Sequence, residues 1–326
     1  MSNFISLWQA AVTFGTVILF GALGELITEK SGNLNLGTPG VMYLGGIASL
    51  IGAFFYESHA AQPNALVGIL VALVCALAAS GLAGLLFCFL TTTLRANQNV
   101  TGLTLTILGS GIANFFGGSL NKLAGGVGQI SVATTSAGFR AVSPLANLGM
   151  VGKLLFSYGF LTYVAIVLAI LASLFLNRTR KGLNLRAVGE SPATADATGI
   201  NVTVYKYVAT CLGSAITGLG GVFYTMNYIK GTWANDGTIE GLGWLALALV
   251  IFASWKSLNV IWGSFLFGIL YWLYFYIGGL TRYSQELFKM LPYVVTILVL
   301  IITSIRSKKE NKGPAALGLS YFREER

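Results

Sequence analysis

Residues 155–176 read LFSYGFLTYVAIVLAILASLFL, and residues 178–201 read RTRKGLNLRAVGESPATADATGIN. The first run is apolar throughout and has the length, roughly 20 residues, that carries an α-helix across a bilayer. The second is a polar island with Arg178, Arg180, Lys181 and Arg186 gathered at one end, and another apolar run follows it. An apolar span, a basic polar break and a second span are the repeating unit of an all-α polytopic membrane protein.

The same alternation extends in both directions. Apolar runs near 8–27, 40–56, 64–91, 99–116, 155–176, 204–228, 240–255, 258–278 and 287–304 predict about nine crossings, within a range of eight to ten. Hydrophobic residues make up 55% of the 326, charged residues 10%, and the mean hydropathy is +0.74; a soluble domain of this length does not reach such values. The net charge of +9 does not point to nucleic acid, because the cations lie between spans and in the tail, with no stripe interleaved with aromatics. The positive-inside rule accounts for them: it places the island, Arg95 and the tail cations Arg306, Lys308, Lys309 and Lys312 in the cytoplasm. By the same parity the Gly-rich stretch 117–153 lies outside, and so does the N-terminus unless a half-crossing occurs near 31–40. A transmembrane unit over 1–305 is therefore expected, with a cytoplasmic segment at 178–203, an extracytoplasmic loop at 117–153 and a basic cytoplasmic tail at 306–326.

Reactive chemistry is sparse. Cys75, Cys88 and Cys211 fall inside apolar runs without metal-site or disulfide spacing. His59 is the only histidine, which rules out an H-E-x-x-H metal helix, and the chain has no G-x-x-x-x-G-K-[ST] phosphate loop. No catalytic residue, metal ligand or cofactor site is expected. An intramembrane enzyme would have to draw on Ser110, Ser214 or Asn114, and none of these stands beside a base. An ion-coupled carrier remains the rival within transport; such carriers place ionisable groups inside spans, whereas Glu25, Glu29, Asp196, Asp236, Glu240 and Glu286 fall near predicted span ends. Many of the 41 glycines sit within or beside spans, where small residues let helices approach closely.

Two interruptions carry information. In Glu29–Gly40, EKSGNLNLGTPG, three glycines and Pro39 resist continuous helix, and Thr38 with Pro39 forms an N-cap and first-turn pair for the next helix. An unwound or re-entrant segment is expected there, with Asn33, Asn35 and Thr38 as groups able to meet a solute. In the island, Ser191 and Pro192 cap a short helix that Gly199 ends in a left-handed conformation, about two turns later. So short a helix, without a Leu or Val stripe, is a knob for a cleft on another protein. Asn99, Asn114, Asn227 and Trp244 are further candidates to line a solute pathway, since amides and an aromatic face suit a neutral base or sugar.

At these places the chain resembles the permease subunits of bacterial ABC importers, in the branch shared by simple-sugar, branched-chain amino-acid and nucleoside uptake systems. The blocks that carry the resemblance are Gly24 and Glu25 with Glu29, Leu34 to Gly37, Asn97 to Gly102, Arg186 to Glu190 with Ala195, Gly199 and Ile200, and Gly243 to Ala248. They span residues 15–305. The likeness is closest to nucleoside-type permeases that work with a basic-membrane-protein type binding lipoprotein. One position departs, with Pro39 where those permeases carry an acidic residue.

The resemblance implies that Gly189, Glu190, Ser191, Pro192, Ala195 and Gly199 belong to a coupling helix that docks on a cytoplasmic ABC ATPase. It implies a second permease subunit, a paralogue, with the pathway between the two, in the plasma membrane of a bacterium. ATP and Mg would reside on the ATPase, with no cofactor in this chain and no nucleic-acid partner.

Overall fold

The computed structural model describes residues 2–123, 130–147, 149–234, 236–277, 282–306 and 312–322. Every regular element among them is helical. The elements are α1 (Ser2–Glu29), α2 (Thr38–His59), α3 (Ala65–Cys88), α4 (Gln98–Leu123), α5 (Ala133–Phe139), α6 (Gly149–Leu155), α7 (Phe160–Arg178), α8 (Arg180–Glu190), α9 (Pro192–Ala197), α10 (Val202–Phe223), α11 (Thr238–Phe252), α12 (Ser257–Tyr276), α13 (Arg282–Lys289) and α14 (Leu291–Arg306). Single π-helical turns, Phe89–Thr93 and Tyr224–Tyr228, prolong α3 and α10.

Seven of these helices are long and apolar enough to cross a membrane. Tyr283–Lys289 and Leu291–Ile302, bent by 43°, pass the same test as one broken span, and Pro292 lies at the break, where a residue without an N–H is tolerated only in a first helical turn. The apolar helix α11 has 15 residues, about 22 Å of rise, short of a hydrocarbon core of roughly 30 Å. The described residues thus hold seven or eight candidate spans where the sequence predicts about nine.

Burial separates the helices into an inner and an outer set. In α1 the apolar window is 83% buried, in α3 only 22%. The inner set is α1, α2, α10 and α11, whose backbones touch: the Gly221 Cα lies so close to α2 that an added Cβ would stand 1.9 Å from the Met42 carbonyl oxygen. Outer helices turn leucines and valines outward, as Leu66, Leu70 and Val74 do on α3, the pattern of a surface solvated by lipid. Without a hydrophobic drive between helices in lipid, this close backbone packing supplies the cohesion.

One end of the bundle carries Lys30, Arg95, α8 and α9; it is here called the near end. At the far end, the region expected to be a loop is largely folded. Thr135 donates its N–H to Glu57 Oε1 (2.6 Å), Val132 to the Gly231 carbonyl (2.9 Å) and Trp8 its indole N–H to the Leu154 carbonyl (3.2 Å). Residues 124–129 and 148 of that region lie outside the described residues.

Candidate functional site

The segment after α1 turns back into the bundle. Glu25 of α1, 1% exposed, accepts the Asn35 N–H on Oε1 (3.1 Å) and the Thr38 hydroxyl on Oε2 (2.9 Å), so its carboxyl group faces the amino end of α2. Asn35 Oδ1 accepts from Gly37 N (2.9 Å) and closes an Asx turn. Gln98 Oε1 accepts from Leu34 N (2.7 Å), Thr106 Oγ1 donates to the Leu36 carbonyl (3.1 Å), and Asn33 Nδ2 donates to Thr210 Oγ1 (2.9 Å). The expected unwound segment is therefore present, and neighbouring helices satisfy its backbone, as buried irregular chain at membrane depth requires.

One expectation is corrected here. Thr38 is the first residue of α2 and Gly37 occupies the cap position without a side-chain bond; the Thr38 hydroxyl bonds Glu25 instead. Glu25 does lie near the end of its span, and it is buried there because it holds the start of α2. Asn33, Asn35 and Thr38, at 0%, 2% and 0% exposure, have their hydrogen bonds within the chain.

The polar island folds as two helices. The one anticipated from Ser191, Pro192 and Gly199 is α9: Ser191 Oγ accepts from Thr194 N (3.4 Å), Pro192 opens the helix, and Gly199 has φ +85°. The other, α8, was not foreseen. Its Thr179 cap accepts from Gly182 N (3.0 Å), and Leu185, Val188 and Gly189 bury one face; the legible signal was that cap and the i, i+3 spacing of Leu185 and Val188. The lack of an apolar stripe on α9 proves compensated by one residue: Ala195 is 2% exposed and packs with Val188 and Val202. Gly189 also faces inward, where an added Cβ would lie 2.4 Å from the Lys30 carbonyl oxygen. Glu190, Ala193, Thr194, Ala197 and Gly199 are exposed, and Ser191 and Pro192 half-buried, so α9 presents a ridge of small side chains outward.

A second unforeseen element locks this hairpin down. Residues 312–322 of the tail, expected to be a basic extension, lie as a strap across the near end. Ala316 N donates to the Gly189 carbonyl (3.0 Å), Gly318 N to the Gly32 carbonyl (3.0 Å), Ala315 N to Glu190 Oε2 (3.3 Å) and Tyr321 Oη to Asp196 Oδ2 (2.8 Å). Arg95 caps the Phe322 ring at 4.6 Å. Gly313 passes against the indole of Trp255, which with Ser254 adopts a left-handed conformation, φ +54° and +52°, and donates its N–H to Glu29. Two consecutive left-handed residues with side chains persist only where surroundings hold them, and Glu29 and the strap do so.

The remaining candidates do not converge. Asn99 is exposed at the start of α4 and Trp244 half-buried on α11. Asn227 donates Nδ2 to the Phe139 carbonyl (3.1 Å) at the far end. The Oδ1 atoms of Asn33, Asn114 and Asn227 are buried without a hydrogen-bond partner, which leaves three acceptors in three separate places: the unwound segment, α4 and the π-helical turn after α10. The surface ridge and the segment that begins α2 are in contact through Gly189, the Lys30 carbonyl and the strap.

A helical bundle with a re-entrant segment and a surface hairpin matches one family model, the permease component of branched-chain amino acid transport systems, over residues 8–300. The chain belongs to that family. This permease is 31% identical to a putative glucose ABC transporter permease protein of Haloferax volcanii, with 99% of each chain covered. It is 32% identical to a nucleoside ABC transporter permease protein of Lactococcus lactis, covering 96% of this chain and 95% of the relative. With a guanosine ABC transporter permease protein of Bacillus subtilis the identity is 30%, over 97% and 96%. No solved structure gives a significant match. The protein is thus a multi-pass ABC transporter permease with nucleoside and sugar permease relatives, and membership implies an ATPase and a substrate-binding protein as its companions.

Proposed function

We propose that the permease moves a nucleoside, or a related base or sugar compound, into the cell, along an interface with a paralogous second permease. A binding lipoprotein delivers the solute at the far end, and a cytoplasmic ABC ATPase, which carries ATP and Mg, seats on the α9 ridge at the near end. The observation that carries this reading is the link from α9 through Ala195 and Gly189 to Lys30 and Gly32: a displacement of the ridge reaches the head of α2 without passing through flexible chain. The nucleoside assignment draws on the Lactococcus and Bacillus relatives; the Haloferax relative keeps a sugar in view.

The carrier driven by an ion gradient draws on Glu25, which is buried in a span, but both of its carboxylate oxygens have partners in the chain. The two readings separate in one assay. With its ATPase, partner permease and binding protein in proteoliposomes, the permease is expected to accumulate radiolabelled guanosine or uridine only when ATP is supplied on the near-end side, and to be indifferent to a protonophore. Accumulation of labelled glucose and not of nucleosides would overturn the substrate; ATP-independent, protonophore-sensitive uptake would overturn the mechanism.

A further inference from the structure

A cavity of about 680 Å³ opens at the near end between α7, α8, the start of α12 and the strap. Its charged lining comes from four separate parts of the chain: Lys30 after α1, Arg186 and Glu190 on α8, Lys256 at the cap of α12, and Lys312 in the strap. Among the described lining residues, four cations stand with one carboxylate.

The start of α12 adds to this field. A helix of 20 residues presents N–H groups without intrahelical partners and the positive end of its dipole, and the residue at its cap position, Lys256, supplies no side-chain acceptor. Ser257 lines the cavity, is 4% exposed, and its Oγ has no hydrogen-bond partner; Arg186 Nε is likewise buried without one. Buried polar groups are nearly always satisfied, so two orphans at one cavity point to an absent group. Both are donors, as a hydroxyl and a guanidinium N–H, and a helix amino end is a ready anion site.

We propose that this cavity binds a phosphate-bearing anion, either the headgroup of an anionic membrane lipid or a free phosphate, with Ser257 Oγ, Arg186 and the α12 amino end as donors and Lys30, Lys256 and Lys312 as counter-charge. The electrostatics agree: burial holds the Lys30 ammonium below its usual range and repulsion by Arg186 and Lys256 adds to that, while Glu190 and Glu29 act against it. A bound phosphate relieves that crowding. Leu176 of α7 with the exposed Leu183 and Leu258 forms an apolar rim, of the kind an acyl chain covers, and basic pockets between helices at a membrane face take such headgroups. Because its walls include α8 and the strap, occupancy fastens the docking hairpin to α12. The site stands independently of the solute that is carried.

The test uses the full-length permease in neutral-detergent micelles, titrated with phosphatidylglycerol, with phosphatidylcholine or with inorganic phosphate, reading melting temperature and the lipid retained in native mass spectra. The expected result is a saturable rise in melting temperature with one phosphatidylglycerol retained per chain and no such rise with phosphatidylcholine. The affinity should fall at least tenfold in Arg186→Gln/Lys256→Gln, severalfold in the milder Ser257→Ala, and stay unchanged in the surface control Arg180→Gln/Lys181→Gln. The same variant pattern with inorganic phosphate alone assigns the site to a free phosphate. If neither anion binds more tightly than phosphatidylcholine, or if the surface control loses as much as the cavity variants, the proposal is wrong.

Discussion

Glu25→Ala is expected to abolish uptake and to lower the stability of the detergent-solubilised permease by about 1–3 kcal/mol, the cost of leaving one buried donor, the Asn35 N–H, without a partner. The Glu25 side chain is the one acceptor shown for the Asn35 N–H and the nearer of two for the Thr38 hydroxyl, which also reaches the Asn35 carbonyl at 3.2 Å, in a place water does not reach, with Glu25, Asn35 and Thr38 all 2% exposed or less. Glu25→Gln keeps the shape and one acceptor oxygen, so it should retain part of the stability and part of the uptake. Thermal unfolding of the three proteins checks the order wild type, Gln, Ala; equal melting temperatures in wild type and Glu25→Ala would show that this carboxylate does not hold the segment.

Gly221→Ala is expected to prevent normal packing of α2 on α10. The added methyl would lie 1.9 Å from the Met42 carbonyl oxygen and 2.7 Å from Gly46 N, both backbone atoms that no rotamer change can move aside. The two helices must separate, and overpacking of this kind costs roughly 1–3 kcal/mol even where side chains can adjust; here the cost should exceed that range. Since α10 continues from the α8–α9 hairpin and α2 from the re-entrant segment, uptake should fall with stability. Gly81→Ala is the matched control, because an added Cβ there meets nothing within 4 Å. Expression level and melting temperature in detergent report both; a Gly221→Ala protein as stable as Gly81→Ala would mean the helices are not in backbone contact.

These two residues mark the boundary of what was legible in the sequence. Hydropathy shows which runs are spans, and local chemistry shows α9 down to its ends, because Ser191, Pro192 and Gly199 act on their own neighbours. The break at 30–37 was legible for the same reason. What Glu25 does was not, since its partners lie ten and thirteen residues on and meet it only when the chain folds back. The inward turn of Ala195 depends on Val188 and Val202, and the strap depends on pairing residues 313–321 with Gly32, Gly189, Asp196 and Trp255; neither leaves a periodic trace. In Ala315–Phe322, an apolar stretch after the cations of the tail, composition alone held a hint that this end is docked. The span count differs for a related reason: α11 is apolar but ends after 15 residues at a turn that Glu29 and the strap hold.

The structure also changes how the docking surface must be probed. Gly189 and Ala195 are interior, so bulky residues there would disturb the hairpin itself, whereas Thr194 and Ala197 are exposed on α9. The most direct test is therefore co-purification of the cognate ABC ATPase with a Thr194→Trp/Ala197→Trp permease, scored beside the melting temperature of the permease alone. The expected result is loss of the ATPase, by tenfold or more, from a permease that melts as wild type does. An ATPase retained in full on the doubly substituted ridge, with ATP-driven uptake intact, would contradict the claim that α9 is where the motor takes hold.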